Sequence, residues 1–154
     1  KMTAPRYQTL VDAEIPAVEL DGGVGRVRVI AGEFRAVKGP AKTLRRVHLY
    51  DLRLKAGHRT ELNLPEGYNS SLFVLHGEVV MNGSQTVQEV EIALFGQRGE
   101  RVVVEAKQDA TILVLSGEPI AEPIARYGPF VMNTRDEIIQ AVHDYQAGKM
   151  GHLL

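Results

Sequence analysis

From residue 24 to residue 116 apolar and polar side chains alternate with the period of a β-strand, and glycine, proline or asparagine interrupts them at short intervals. Arg26-Val-Arg-Val-Ile30 alternates. Tyr50, Leu52 and Leu54 fall on one face of an extended segment, while Asp51, Arg53 and Lys55 fall on the other. The phase slips at Leu49–Tyr50, which predicts a bulge or a strand buried on both faces. Glu61-Leu-Asn-Leu64 alternates again before Pro65-Glu-Gly67 turns the chain. Leu72-Phe-Val-Leu75 and Val79-Val-Met81 flank Gly77, and Asn82-Gly83 signals a two-residue hairpin. Segments 91–95, 101–106 and 110–115 complete the set. Many short strands with closely spaced turns predict an all-β sandwich or barrel rather than a β-α-β sheet.

The flanks follow other rules. Pro5, Pro16 and Gly22-Gly23 break residues 1–23, where segment 15–20 reads at best as an edge strand. Pro119, Pro123 and Pro129 mark residues 117–130 as a crossover. Both segments read as arms that wrap a surface. After the crossover comes a well-signed helix over 135–147. Thr134 and Glu137 have the spacing of a capping box, and Asp136 and Glu137 suit the positive end of the helix dipole. Ile138, Ala141, Val142 and Tyr145 form an apolar stripe, and Gly148 is a left-handed stop with Lys149 just past it. Such a helix either plugs one side of the barrel or docks on a partner domain. The organisation is thus an N-terminal arm (1–23), a barrel (24–116), and a crossover with a C-terminal capping helix (117–154), one domain in all.

Composition narrows the function classes. The chain has 154 residues, enough for one domain with a real core. Its net charge is −1 with both signs mixed, and Arg45-Arg46 is a pair rather than a patch, so direct nucleic-acid binding is not expected. The absence of cysteine excludes disulfides, thiolate metal sites and cysteine nucleophiles. No apolar run has the length of a membrane helix and no signal segment opens the chain, so the expectation is a cytoplasmic protein with no membrane association. Lys1 stands before Met2, and composition leaves open whether the chain is complete or part of something longer.

Candidate chemistry is sparse. Ser70-Ser71 and Ser84 have no His–Asp constellation that sequence can place beside them. Glu89 and Glu91 read as the solvated edge of a strand. Of the five histidines, His58 follows a turn glycine, His143 lies on the polar side of the helix and His152 is in the tail. His76 precedes the tight turn at Gly77, where a side chain commonly points to solvent. His48 lies on a strand among apolar neighbours, as a satisfied buried or edge histidine does. A metal site from His48, His58 and His76 is conceivable, because neutral imidazoles suit iron, manganese, nickel or copper. The commoner meaning of each is structural. No catalytic or cofactor-binding residue is assigned.

Gly57, Pro65-Glu-Gly67 and Val74-Leu-His-Gly-Glu78 resemble the first cupin motif, and Gly96-Gln-Arg-Gly-Glu100 with 101–106 resembles the second. The opening Met2-Thr-Ala-Pro-Arg-Tyr-Gln8, the run Gly25-Arg-Val-Arg-Val-Ile-Ala-Gly32, Gly39-Pro-Ala41 and the stretch from Tyr127-Gly-Pro-Phe-Val-Met-Asn-Thr134 to Gly148 together resemble the C-terminal half of the pirin family of two-domain cupins. The resemblance implies a cupin-type double-stranded β-helix barrel with a C-terminal α-helix, forming the second half of a longer two-barrel protein. It implies iron in the N-terminal barrel, which would be this chain's partner, and none here. Where a cupin His-x-His would fall stands Leu62-Asn-Leu64, where the glutamate would fall stands Asn69-Ser-Ser71, and 101–106 has no histidine. The expected role is a metal-free, pocket-walling partner of the iron-bearing barrel. The intact protein would be a quercetin 2,3-dioxygenase-like enzyme or a redox-responsive regulator. Two other classes stay open: an autonomous small cupin enzyme with its own metal, and a non-catalytic module that binds a protein partner or a second copy of itself.

Overall fold

The structure, a computed structural model, describes residues 3, 4 and 6–151; Lys1, Met2, Pro5 and the tail histidine His152 lie outside them. Fourteen strands and one α-helix appear among the described residues. In chain order the strands are β1 (Ala17–Glu19), β2 (Gly25–Ala31), β3 (Glu33–Phe34), β4 (Val37–Lys38), β5 (Val47–Leu54), β6 (Arg59–Asn63), β7 (Asn69–His76), β8 (Val79–Met81), β9 (Gln85–Val87), β10 (Ile92–Leu94), β11 (Arg101–Ala106), β12 (Ala110–Gly117), β13 (Ala125–Tyr127) and β14 (Phe130–Met132). The helix α1 spans Arg135–Gln146 and agrees with the sequence expectation to one residue. The chain divides into two compact units, one of residues 8–119 and one of residues 120–151 with the described part of 3–7.

In the larger unit, a six-stranded antiparallel sheet runs β1-β2-β5-β12-β7-β10 and a four-stranded sheet runs β6-β11-β8-β9. Each contributes its inward positions to a single aliphatic core. The alternation read from sequence is the reason: Val27 and Val29, Leu52 and Leu54, Leu72 and Val74, Ile112 and Val114 come from the first sheet, and Leu62, Val79, Met81, Val102 and Val104 from the second. All-β architecture with one C-terminal helix is therefore what forms. Segment 15–20 supplies β1, which is indeed an edge strand, and Leu20 just beyond it enters the core.

The slip at Leu49–Tyr50 has a clear cause. Val29 pairs with Tyr50 and Ala31 with Leu49, so Ile30 is an extra residue on β2. The expected bulge exists, but on the neighbouring strand. Opposite the core, β5 also buries Asp51, whose carboxylate accepts from Arg28 Nη1 at 3.0 Å and from Arg53 Nη2 at 3.1 Å. A charge at that depth is tolerated because two guanidinium groups satisfy it.

The Asn82-Gly83 turn departs from expectation. Met81 pairs with Gln85, so the loop has three residues, not two. Asn82 is drawn out of the hairpin by β11: its amide donates to the Val103 carbonyl at 2.8 Å, and its side-chain Oδ1 accepts from the Val103 amide at 2.9 Å.

In the C-terminal unit the crossover is not featureless. Gly128-Pro129 turns the chain between β13 and β14, a hairpin unassigned from the sequence, and α1 packs against it with Phe130 and Tyr145 edge to face. The capping box forms as expected, with Thr134 Oγ1 accepting from the Glu137 amide and Glu137 Oε2 accepting from the Thr134 amide. Gly148, at φ +71°, closes the helix while Lys149 N donates to the Asp144 carbonyl and Gly148 N to the Tyr145 carbonyl. Ile138 and Ala141 are buried, whereas Tyr145 of the expected stripe is exposed. No helix among the described residues is long and apolar enough to cross a membrane.

Candidate functional site

The inward face of β5 changes character along its length. Leu54, Leu52 and Tyr50 are buried, His48 is half-buried, and Arg46, just before the strand, is exposed. Side chains two residues apart share a face, so this series runs from dry core to wet rim. The neighbouring strands do the same at the same level. His48 pairs with Ser116 on β12, and Ser116 pairs with Ser70 on β7. The two serine hydroxyls bond to each other at 2.8 Å. Below them lies the aliphatic layer of Leu72 and Val114. One end of the barrel thus carries a polar layer, and over it opens a cleft of about 1050 Å³ whose lining includes His48, Tyr68, Arg45, Arg46, Lys38 and Glu33.

Within that layer the hydrogen bonds fix a protonation state. The Tyr50 hydroxyl donates to the Glu33 carbonyl at 2.7 Å. A hydroxyl has one proton and a carbonyl only accepts, so that proton is committed. His48 Nδ1 lies 2.7 Å from the same hydroxyl. It must therefore be the donor, which leaves the lone pair on Nε2. Burial holds the His48 pKa below 6.5, opposed by the Glu33 carbonyl and carboxylate; burial also pushes the Tyr50 hydroxyl up to about 12. His48 is accordingly a neutral Nδ1–H imidazole at neutral pH. Its ring is held on two sides, edge to face with Tyr50 and tilted against Tyr68 with centroids 6.0 Å apart.

Two-bond ¹H–¹⁵N correlation spectra are expected to show this tautomer at pH 7 and a His48 titration midpoint below 6.5. The linkage has a definite sign. Below pH 6.5 the unfolded chain takes up a proton that folded His48 refuses, so stability falls as pH drops through that window and levels once His48 itself protonates. An Nε2–H tautomer, or a midpoint above 6.5, would overturn the assignment.

The three candidate ligand histidines do not share this site. His76 pairs with Thr111 on β12, five positions from Ser116, which puts it roughly 17 Å along the sheet from His48. There its Nδ1 bonds Glu89 Oε2 at 2.8 Å, and the same oxygen accepts from the Gly77 amide at 3.2 Å. Glu89, read from sequence as a solvated edge, thus fixes the Gly77 turn. His58 is exposed in the turn between β5 and β6, beside Ala106 at the end of the barrel away from His48. His143 is exposed on α1. Among the described residues no three of His, Asp and Glu converge as a metal cluster would require.

The interior gives the same answer by its chemistry. Leu62, Leu64, Leu72, Val74, Val102, Val104, Ile112 and Val114 are aliphatic, and among the described core residues only the Met81 thioether and the Tyr50 hydroxyl carry side-chain lone pairs. An iron centre of imidazoles and a carboxylate does not fit this donor set. Nor do His48 and Ser70 form a serine hydrolase pair, since β12 stands between their strands and the Ser70 hydroxyl is bonded to Ser116. The mouth holds an imidazole and a pair of serine hydroxyls over a dry core. The sequence reading missed Tyr50, Ser116 and the Glu33 carbonyl as its parts. The period-two series Arg46, His48, Tyr50 was the available signal.

Comparison with known proteins fits this architecture. The family description Pirin C-terminal cupin domain matches residues 49–151. A Pseudomonas aeruginosa protein provisionally named quercetin 2,3-dioxygenase is 46% identical over 97% of this chain and 52% of its own. Human pirin is 35% identical over 98% of this chain and 53% of its own. A crystal structure described as quercetin 2,3-dioxygenase from Acinetobacter baumannii superposes with a TM-score of 0.92 at 38% identity, covering 100% of this chain and 54% of that one. The chain spans about half the length of the curated relatives it matches. The cupin fold read from the glycine turns is therefore the fold of this chain, and the chain belongs to the pirin family, whose C-terminal cupin domain it carries.

Proposed function

We propose that this chain works as the metal-free second barrel of a two-barrel protein, walling the pocket of an N-terminal barrel that holds the iron. The intact protein would be a cytoplasmic, iron-dependent enzyme of the quercetin 2,3-dioxygenase type or a redox-responsive regulator. The observation that carries this reading is the barrel interior: Leu62 and Leu64, which stand where the resemblance would place paired imidazoles, are buried in an aliphatic core. Dioxygen chemistry at a metal needs imidazole and carboxylate ligands with open positions, and this core supplies neither. Two further facts support the partner barrel. The relatives are about twice as long as this chain. The C-terminal unit also leaves Ile124, Tyr127, Ile139 and Tyr145 each more than half exposed, along a groove of about 760 Å³ lined by the first three and by Ile138 and Val142. Exposed apolar side chains gathered on one groove suit a docking face.

Elemental analysis tests the proposal. The 154-residue chain is expected to purify without stoichiometric metal and to leave quercetin unchanged in air. The product isolated from its native source is expected to carry about one iron per molecule. A transition metal bound one-to-one by the 154-residue chain, and retained through dialysis, would refute the assignment and favour an autonomous enzyme.

A further inference from the structure

The mouth of the barrel holds an oriented acceptor that packing does not require. His48 Nε2 has no hydrogen-bond partner among the described residues, and no buried side-chain nitrogen or oxygen there lacks one. Nε2 is therefore open to the cleft. Arg46, two residues earlier on the same face, makes no side-chain hydrogen bond or ion pair among the described residues either. Residues i and i+2 on an extended chain stand roughly 6–7 Å apart, so a lone pair and a guanidinium face the same space with a ring's length between them. Tyr68 and Pro65 supply an apolar wall beside them.

Each element selects a ligand group. A lone pair on a neutral imidazole accepts from a hydroxyl and repels a second acceptor. A guanidinium without a partner pairs best with a carboxylate, in two parallel bonds. An aromatic face favours a flat ring over an alkyl chain. We infer that the cleft binds a small aromatic hydroxy acid, its hydroxyl donating to His48 Nε2, its carboxylate on Arg46 and its ring against Tyr68. The site is separate from any metal chemistry and stands whether or not the two-barrel reading does.

The probe is 4-hydroxybenzoate, titrated into ¹⁵N-labelled chain and followed by amide and imidazole shifts. Saturable changes centred on Gly32, His48 and Tyr68 are expected. Arg46→Ala, at an exposed position where folding is indifferent, is expected to weaken binding by about tenfold. His48→Asn keeps an N–H for Tyr50 but deletes the Nε2 lone pair, and a similar loss is expected. Benzoate, which lacks the hydroxyl, should bind about tenfold more weakly than the probe. The inference fails if no saturable change occurs, if the changes centre on the C-terminal groove, if Arg46→Ala binds as the parent does, or if benzoate binds equally well.

Discussion

Leu72→Ala is expected to lower the free energy of unfolding by about 3–4 kcal/mol, inside the range found for emptied leucine sites. Leu72 is fully buried and lies between Ala93 on β10 and Val114 on β12. Ladders on both sides of β7 hold the backbone in place, so the hole left by the side chain cannot close by strand movement. For a domain of this size the melting temperature should fall by about 6–16 °C. Urea denaturation followed by far-ultraviolet circular dichroism would measure it, with the denaturant slope unchanged. A loss under about 1 kcal/mol would mean that the interior around Leu72 is loosely filled.

Gly32→Ala should act on the mouth and not on the core. Gly32 adopts φ +80°, and a β-carbon there would stand 2.5 Å from the Val47 carbonyl oxygen and 2.8 Å from His48 Nδ1. The left-handed conformation and the backbone collision together should cost about 2–3 kcal/mol. The more telling effect is local: His48 must swing away from Tyr50, so its Nδ1–H signature should disappear and 4-hydroxybenzoate binding with it. If stability fell while the tautomer survived, the imidazole would not be held by the contact described here.

These two positions show what a sequence discloses and what it withholds. Leu72 was readable, because burial follows from alternation between turns and needs no knowledge of partners. The capping box at Thr134 and the stop at Gly148 were readable for a similar reason, since both are local. The mouth was legible only in pieces. His48 could be placed on a strand, but its tautomer depends on the Glu33 carbonyl, which reaches Tyr50 across a turn that alternation does not register. The hairpin of β13 and β14 escaped notice because its strands are three residues each, too short to establish a period. Asn82-Gly83 misled for the opposite reason: a strong local signal was overruled by β11, which takes Asn82 as a partner.

The place of β12 in the six-stranded sheet bears on how the chain is made. Its two neighbours, β5 and β7, are synthesised well before it, and each pairs with it over nearly its whole length. Until residues 110–117 emerge from the ribosome, those two strands face each other across a gap with their ladder edges unsatisfied. Closure of so long a loop is slow compared with hairpin formation. Between the completion of β7 at His76 and the emergence of β12, the nascent chain therefore holds two unjoined pieces of sheet, each with an apolar face in water, and holdase chaperones should engage it most strongly just before Ala110 appears.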